Sequence, residues 1–240
     1  MRHSVDELTD IVYRYYPRRL LTNEPRYEKS EEYRRLVAAR RHAGANNEPW
    51  RAILKRLGEQ FPENSVQNRS LHLPSGRSDA CYSAHLSLPT NTPGEHYHDL
   101  GFLVSFLVPY YVVYSLRNVD DLIKIEEMKA RRAEPARSVS VFIKDTLVIL
   151  PAWMGKILPA SMVEPEPAAP IEAYRNDISF DLSPDEQPYA TRIVQEIEAT
   201  WEGYERMPPE VGKVVVPDVV TNLRWLGQAT LYDCLFSDDW

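Results

Sequence analysis

Cysteine is scarce: Cys81 and Cys234 are the only two in 240 residues. That excludes a disulfide-built scaffold, which needs a dense cysteine framework, and leaves two thiols expected in buried positions. Glycine is scarce too, at 9 residues. No glycine-rich turn joins a strand to a helix, so a doubly wound nucleotide-binding fold is not expected. The polar turn Ser75-Gly76-Arg77-Ser78 lacks the lysine and following hydroxyl of a phosphate-binding loop. Gly-x-Ser-x-Gly, the strained turn that presents a hydrolase serine, is also missing. No apolar run reaches the roughly 20 residues a membrane-spanning helix needs.

An excess of positive charge is missing as well. The chain carries 28 Lys and Arg against 35 Asp and Glu, a formal charge of -7. The imbalance is uneven: residues 161–240 hold 5 basic and 16 acidic groups, whereas residues 1–60 hold 13 basic and 9 acidic. Phosphate would be repelled by the last third, so nucleic acid is excluded as a partner. A basic protein surface is the natural complement of such charge.

What is present is aromatic and apolar. The chain has 14 Tyr and 5 Trp, residues that anchor interfaces when exposed and need hydroxyl or indole partners when buried. Gly101 to Leu116, GFLVSFLVPYYVVYSL, is the longest nearly uncharged run. As a helix it would be apolar all round with Pro109 inside it, at a cost of about 3 kcal/mol. It is therefore expected as one or two buried strands that bend or pair around Pro109.

Around this run the periodicities suggest helices and strands in separate blocks. Ser4 and Glu7 form a capping box ahead of Val5, Leu8, Ile11, Val12 and Tyr15. A second helix is expected over 30–43 with Gly44 as its stop, and a third from Asn47 to Phe61. The second carries Arg34, Arg35, Arg40 and Arg41, with Glu28, Glu31 and Glu32 placed to pair with them. Cys81 to Leu88 alternates as a half-buried strand. A helix is compatible with 118–134, a strand with 138–150, and residues 159–182 read as a proline-rich surface crossing. Ser183-Pro184-Asp185-Glu186 has the form of a helix start, with Tyr189, Ile193, Ile197 and Trp201 following at spacing four. Two short strands, 214–216 and 229–236, close the chain. The expectation is a single α+β domain, with a split into two near residue 165 as the alternative: an antiparallel or mixed central sheet, an N-terminal three-helix layer, and a further helix packed on the sheet.

One grouping has the look of a metal site. In Glu95-His96-Tyr97-His98-Asp99, two histidines two apart on a strand share a face, and His85 lies on the strand before. The His96-x-His98 spacing resembles the first metal motif of cupin barrels. The later glutamate of that motif is replaced here by the apolar run, and no Gly-Pro-x-x-x-His partner follows. Adjacent carboxylates such as Asp120-Asp121 and Glu126-Glu127 diverge on a helix and read as solvated faces.

The functional expectation is a protein-binding module without a cofactor. In size, acidity and outline the chain resembles small cytoplasmic bacterial immunity proteins, which neutralise a toxin by covering it. The acidic last third suits a basic protein partner, and two cysteines with an amphipathic pattern that starts at the first residues lead to the expectation of a cytoplasmic location. The expected anchors are aromatic groups ringed by carboxylates: Tyr232, Asp233, Asp238, Asp239 and Trp240. The alternative is a metal-dependent enzyme of hydrolase or oxygenase type, with a divalent ion such as zinc on His96, His98 and His85. A homodimer formed at an unpaired sheet edge is the third option.

Overall fold

The computed structural model describes residues 2–70, 80–90, 95–119, 177–222 and 224–237. The expected strand over 138–150 and nearly all of the expected helix over 118–134 lie outside these residues. So does the proline-rich crossing up to residue 176.

The chain opens on helix α1 (Val5–Tyr15), capped as its sequence predicts: the Glu7 amide donates to Ser4 Oγ, and the Ser4 amide donates to Glu7 Oε2 at 2.7 Å. A short α2 (Pro25–Lys29) starts on its proline, just ahead of the expected second helix. Helix α3 (Glu31–Ala45) is capped by Ser30 and runs on through Gly44, past the predicted stop. Helix α4 (Glu48–Gln60) follows from Asn47. Strands β1 (Val66–Asn68), β2 (Cys81–Ser87), β3 (Glu95–Ser105), β4 (Tyr110–Val119) and β5 (Asp177–Ser179) then pair antiparallel in that order. The apolar run is thus the β3–β4 hairpin, turning through residues 106–109 with Pro109 just before β4. Its register places Gly101 opposite Tyr114 and Phe102 opposite Val113.

After β5 come helix α5 (Gln187–Thr200), strand β6 (Glu205–Arg206), helix α6 (Pro209–Gly212) and helix α7 (Leu231–Leu235). Strand β6 pairs parallel with Tyr110 and Tyr111, on the same edge of β4 that β5 occupies further along. Two differences from expectation arise here. Helix α5 begins at Gln187 rather than at Pro184, because Pro188 sits in its first turn and residues 184–186 form a separate turn. The two expected closing strands reduce to one bridge, Val215 to Thr230, followed by α7. The reason is local: Thr230 and Asp233 form a capping box, with Asp233 N donating to Thr230 Oγ1 and Thr230 N to Asp233 Oδ2.

The strand alternation divides the interior in two. On one face of the sheet Leu103, Val112, Tyr114 and Leu116 pack with Leu8, Val12 and Tyr16 of α1, Leu36 of α3, and Leu231 and Leu235 of α7. On the other, Leu100, Phe102, Val104 and Val113 pack with Trp50, Ile53 and Leu57 of α4 and with Ala190, Ile193 and Ile197 of α5. The N-terminal helices precede the sheet as expected, and they are shared between its two faces. Each such side chain stabilises the fold by roughly 1.5–3 kcal/mol when fully buried. The N-terminal helix is tied to the last one by a buried hydrogen bond from the Tyr16 hydroxyl to the Cys234 carbonyl, at 2.9 Å. Both cysteines are buried thiols. Among the described residues, no helix is long and apolar enough to cross a membrane.

Candidate functional site

Two polar centres lie back to back at one end of the sheet. His98 of β3 and Arg117 of β4 are register partners, and Ser115 is two residues from Arg117 on the same face. All three reach Glu186, just ahead of α5. Its Oε1 is 2.6 Å from His98 Nε2, 2.6 Å from Ser115 Oγ and 2.9 Å from Arg117 Nη2, while its Oε2 accepts from the Ser183 amide at 2.6 Å. Glu186 is only 1% exposed. Burial pushes its carboxyl up, but the hydrogen bonds from Ser115, Arg117, Ser183 and His98 outweigh that and hold it at about 2. An ionised carboxylate only accepts, so His98 Nε2 carries the hydrogen and donates. With its acceptor sites occupied, Glu186 is a clamp between α5 and the hairpin.

The second centre is on the opposite face. His85 Nδ1 lies 3.4 Å from Asp99 Oδ2, and His85 Nε2 lies 3.4 Å from the Tyr114 hydroxyl. Burial pushes the Asp99 carboxyl up, and hydrogen bonds from His85 and Ser87 bring it below the usual aspartate range. The Tyr114 ring crosses the β3 backbone at Gly101 to reach His85; a Cβ there would stand 2.1 Å from Tyr114 Cζ. Tyr114 leads on to Phe180, and Phe180 stacks on Tyr232 with centroids 4.9 Å apart.

These centres settle where several candidate residues sit. His85 and His98 point to opposite faces of the sheet, so the structure does not bring them together on one ion. His98 is already engaged by Glu186, and His96 lies on β3 beside the register shift between Glu95 and Tyr97. Among the described residues there is no group of three or more His, Cys, Asp or Glu placed to hold a metal. Tyr232 and Asp233, expected as exposed anchors, are turned inward at 5% and 2% exposure, which corrects that expectation. Tyr232 packs over Gly212 and between Phe180 and Phe236, and burial pushes its hydroxyl well above the usual tyrosine range. Asp233 is answered by Thr230 and by Arg224 Nε at 3.1 Å. Asp238, Asp239 and Trp240 lie outside the described residues.

Among the described residues, the large aromatic group that faces solvent is Trp225, missed in the sequence. It is 68% exposed, beside Leu226 at 48%, and Val215 on the same C-terminal segment is 48% exposed. The loop beneath it is pinned. Thr221 N donates to the Arg224 carbonyl at 3.1 Å, Arg224 N to Thr221 Oγ1 at 3.2 Å, and Gln228 N to the Trp225 carbonyl at 3.0 Å. Gly227, at φ 79°, closes the turn in a conformation other residues rarely adopt. The Arg224 contact with Asp233 joins this loop to the cap of α7. The local signal is a Trp-Leu pair ahead of a glycine, which marks a turn without saying whether the indole faces out.

Comparison with protein-family models, with curated proteins and with solved structures finds no match for this chain. The fold itself is α+β, helices on both faces of a largely antiparallel sheet.

Proposed function

We propose that this chain is a protein-binding module of the immunity type, acting in the cytoplasm and covering a basic partner such as a toxin through the Trp225 loop. The observation that carries this reading is a tryptophan held out into water by a hydrogen-bonded turn. An exposed indole forfeits the burial that would stabilise the folded chain. Tryptophan is also the residue type most enriched among interface hot spots. Because the turn is already fixed, little ordering entropy opposes its docking. The acidic final third, in which the loop lies, supplies the field that would attract a basic surface.

The test is capture from an extract of the source cells on the immobilised native protein and on a Trp225→Ser, Leu226→Ser variant of matched thermal stability. The reading expects a basic protein that the native chain retains, the variant loses, and high salt weakens. Equal retention by both proteins would remove the Trp225 loop as the binding surface.

A further inference from the structure

At the hairpin end of the sheet, away from both polar centres, an open cleft of about 610 Å³ separates α3 from the end of α5. Its size lies within the roughly 300–1,000 Å³ of small-molecule sites. One wall is aromatic: Tyr82, Phe106, Trp201 and Tyr204. Tyr82 packs against both Trp50 and Trp201, at 5.4 Å and 5.9 Å between centroids, and the two indoles are 6.5 Å apart, so the three rings hold one another in a triangular cluster. Its hydroxyl donates to the Ala43 carbonyl at 2.9 Å, and that of Tyr204 to the Ser105 carbonyl at 3.3 Å. The hydroxyls are thus spent on the fold, and what the wall has left to offer is ring faces.

The other wall belongs to α3. Ala38 and Ala39 keep it low, so a flat group can enter, and Arg35 and His42 stand on either side of them. Among the described residues, no carboxylate lines the cleft. The Arg35 guanidinium is engaged by Glu31 one turn earlier, with side chains 49% and 75% exposed. A pair that exposed contributes little to stability, so an incoming anion can recruit the guanidinium at small cost. Flat ring faces opposite a cationic edge define one ligand chemistry.

The geometry points to a binding site for a small planar aromatic anion, its ring stacked on Trp201 and Tyr204 and its acidic group at Arg35 and His42. This site is independent of the Trp225 loop. Offset stacking on the two rings supplies the affinity, and the guanidinium supplies the preference for charge.

Anilinonaphthalene sulfonate is a suitable probe, with N-phenylnaphthylamine as its uncharged counterpart. Titration into the full chain should saturate at one dye per molecule and shift the Trp201 indole N–H resonance, assigned with Trp201→Phe. Ala38→Phe with Ala39→Phe fills the cleft from the surface of α3 without touching the aromatic wall, and should weaken both dyes about tenfold or more. Arg35→Glu should weaken the sulfonate alone, about fivefold or more. The proposal is overturned if the filled variant binds the sulfonate unchanged, if the Trp201 resonance stays still, or if Arg35→Glu affects both dyes alike or neither.

Discussion

His98 Nε2 and Glu186 Oε1 lie 2.6 Å apart although 88 residues separate them in the chain. That contact joins the central hairpin to the entry of α5 across more than a third of the sequence. Removing Glu186 strands the buried His98 imidazole, whereas removing His98 leaves the carboxylate on Ser115, Arg117 and the Ser183 amide, so the first change is the costlier. The contact is also sensitive to acid, because it rests on an ionised carboxylate.

Glu186 is held at about 2, against 4.5 for an unperturbed glutamate. A depressed carboxyl stabilises the fold fully above its unfolded value and loses that contribution as the pH falls toward its folded value. The difference corresponds to on the order of 3 kcal/mol. Urea midpoints of the native protein should therefore fall between pH 4.5 and pH 2 relative to those of Glu186→Gln. A constant difference between the two proteins over that window would show that Glu186 does not titrate as the geometry requires.

Gly101 is required by a neighbour rather than by its backbone angles. An added methyl would meet Tyr114 Cζ at 2.1 Å. Gly101→Ala should cost about 1–3 kcal/mol, as overpacking does. The cost should shrink by more than half in a Tyr114→Ala background, because the obstructing ring is gone. Additive losses in chemical denaturation would mean that the ring is not what Gly101 accommodates.

The cap of α7 bears on the Trp225 loop through Asp233. Thr230→Ala should cost about 1 kcal/mol, the usual worth of a cap. Asp233→Ala should cost more, since it also strands Arg224. Trypsin should cut after Arg224 faster in Asp233→Ala than in Thr230→Ala at matched stability. Equal rates would separate the loop's order from the Arg224 contact.

Much of this architecture can be read locally. Ser4 with Glu7 caps α1, and Pro109 turns an all-apolar run into a hairpin. Other features depend on distant partners. Glu186 has the local form of a capping residue, and its Oε2 does reach back to Ser183. Nothing nearby reveals that three donors from β3 and β4 converge on its other oxygen. Thr230-x-x-Asp233 has the form of a capping box, and that cap makes 231–235 a helix where a strand over 229–236 is expected. Tyr232 looked like a surface anchor because carboxylates flank it; Phe180 and Gly212, distant in sequence, provide its burial. Trp225 carries no signal of exposure, because an indole beside a glycine turn faces inward or outward according to tertiary packing alone.

The most direct test of the account is photo-crosslinking from the loop itself. Benzoylphenylalanine placed at Trp225 is compared with the same group at Lys55, an exposed position on α4, whose apolar side packs on the other face of the sheet. The account predicts that the group at position 225 captures a basic protein in source-cell extract, and that the group at position 55 does not. Capture of the same proteins from both positions, or of none from position 225, would contradict it.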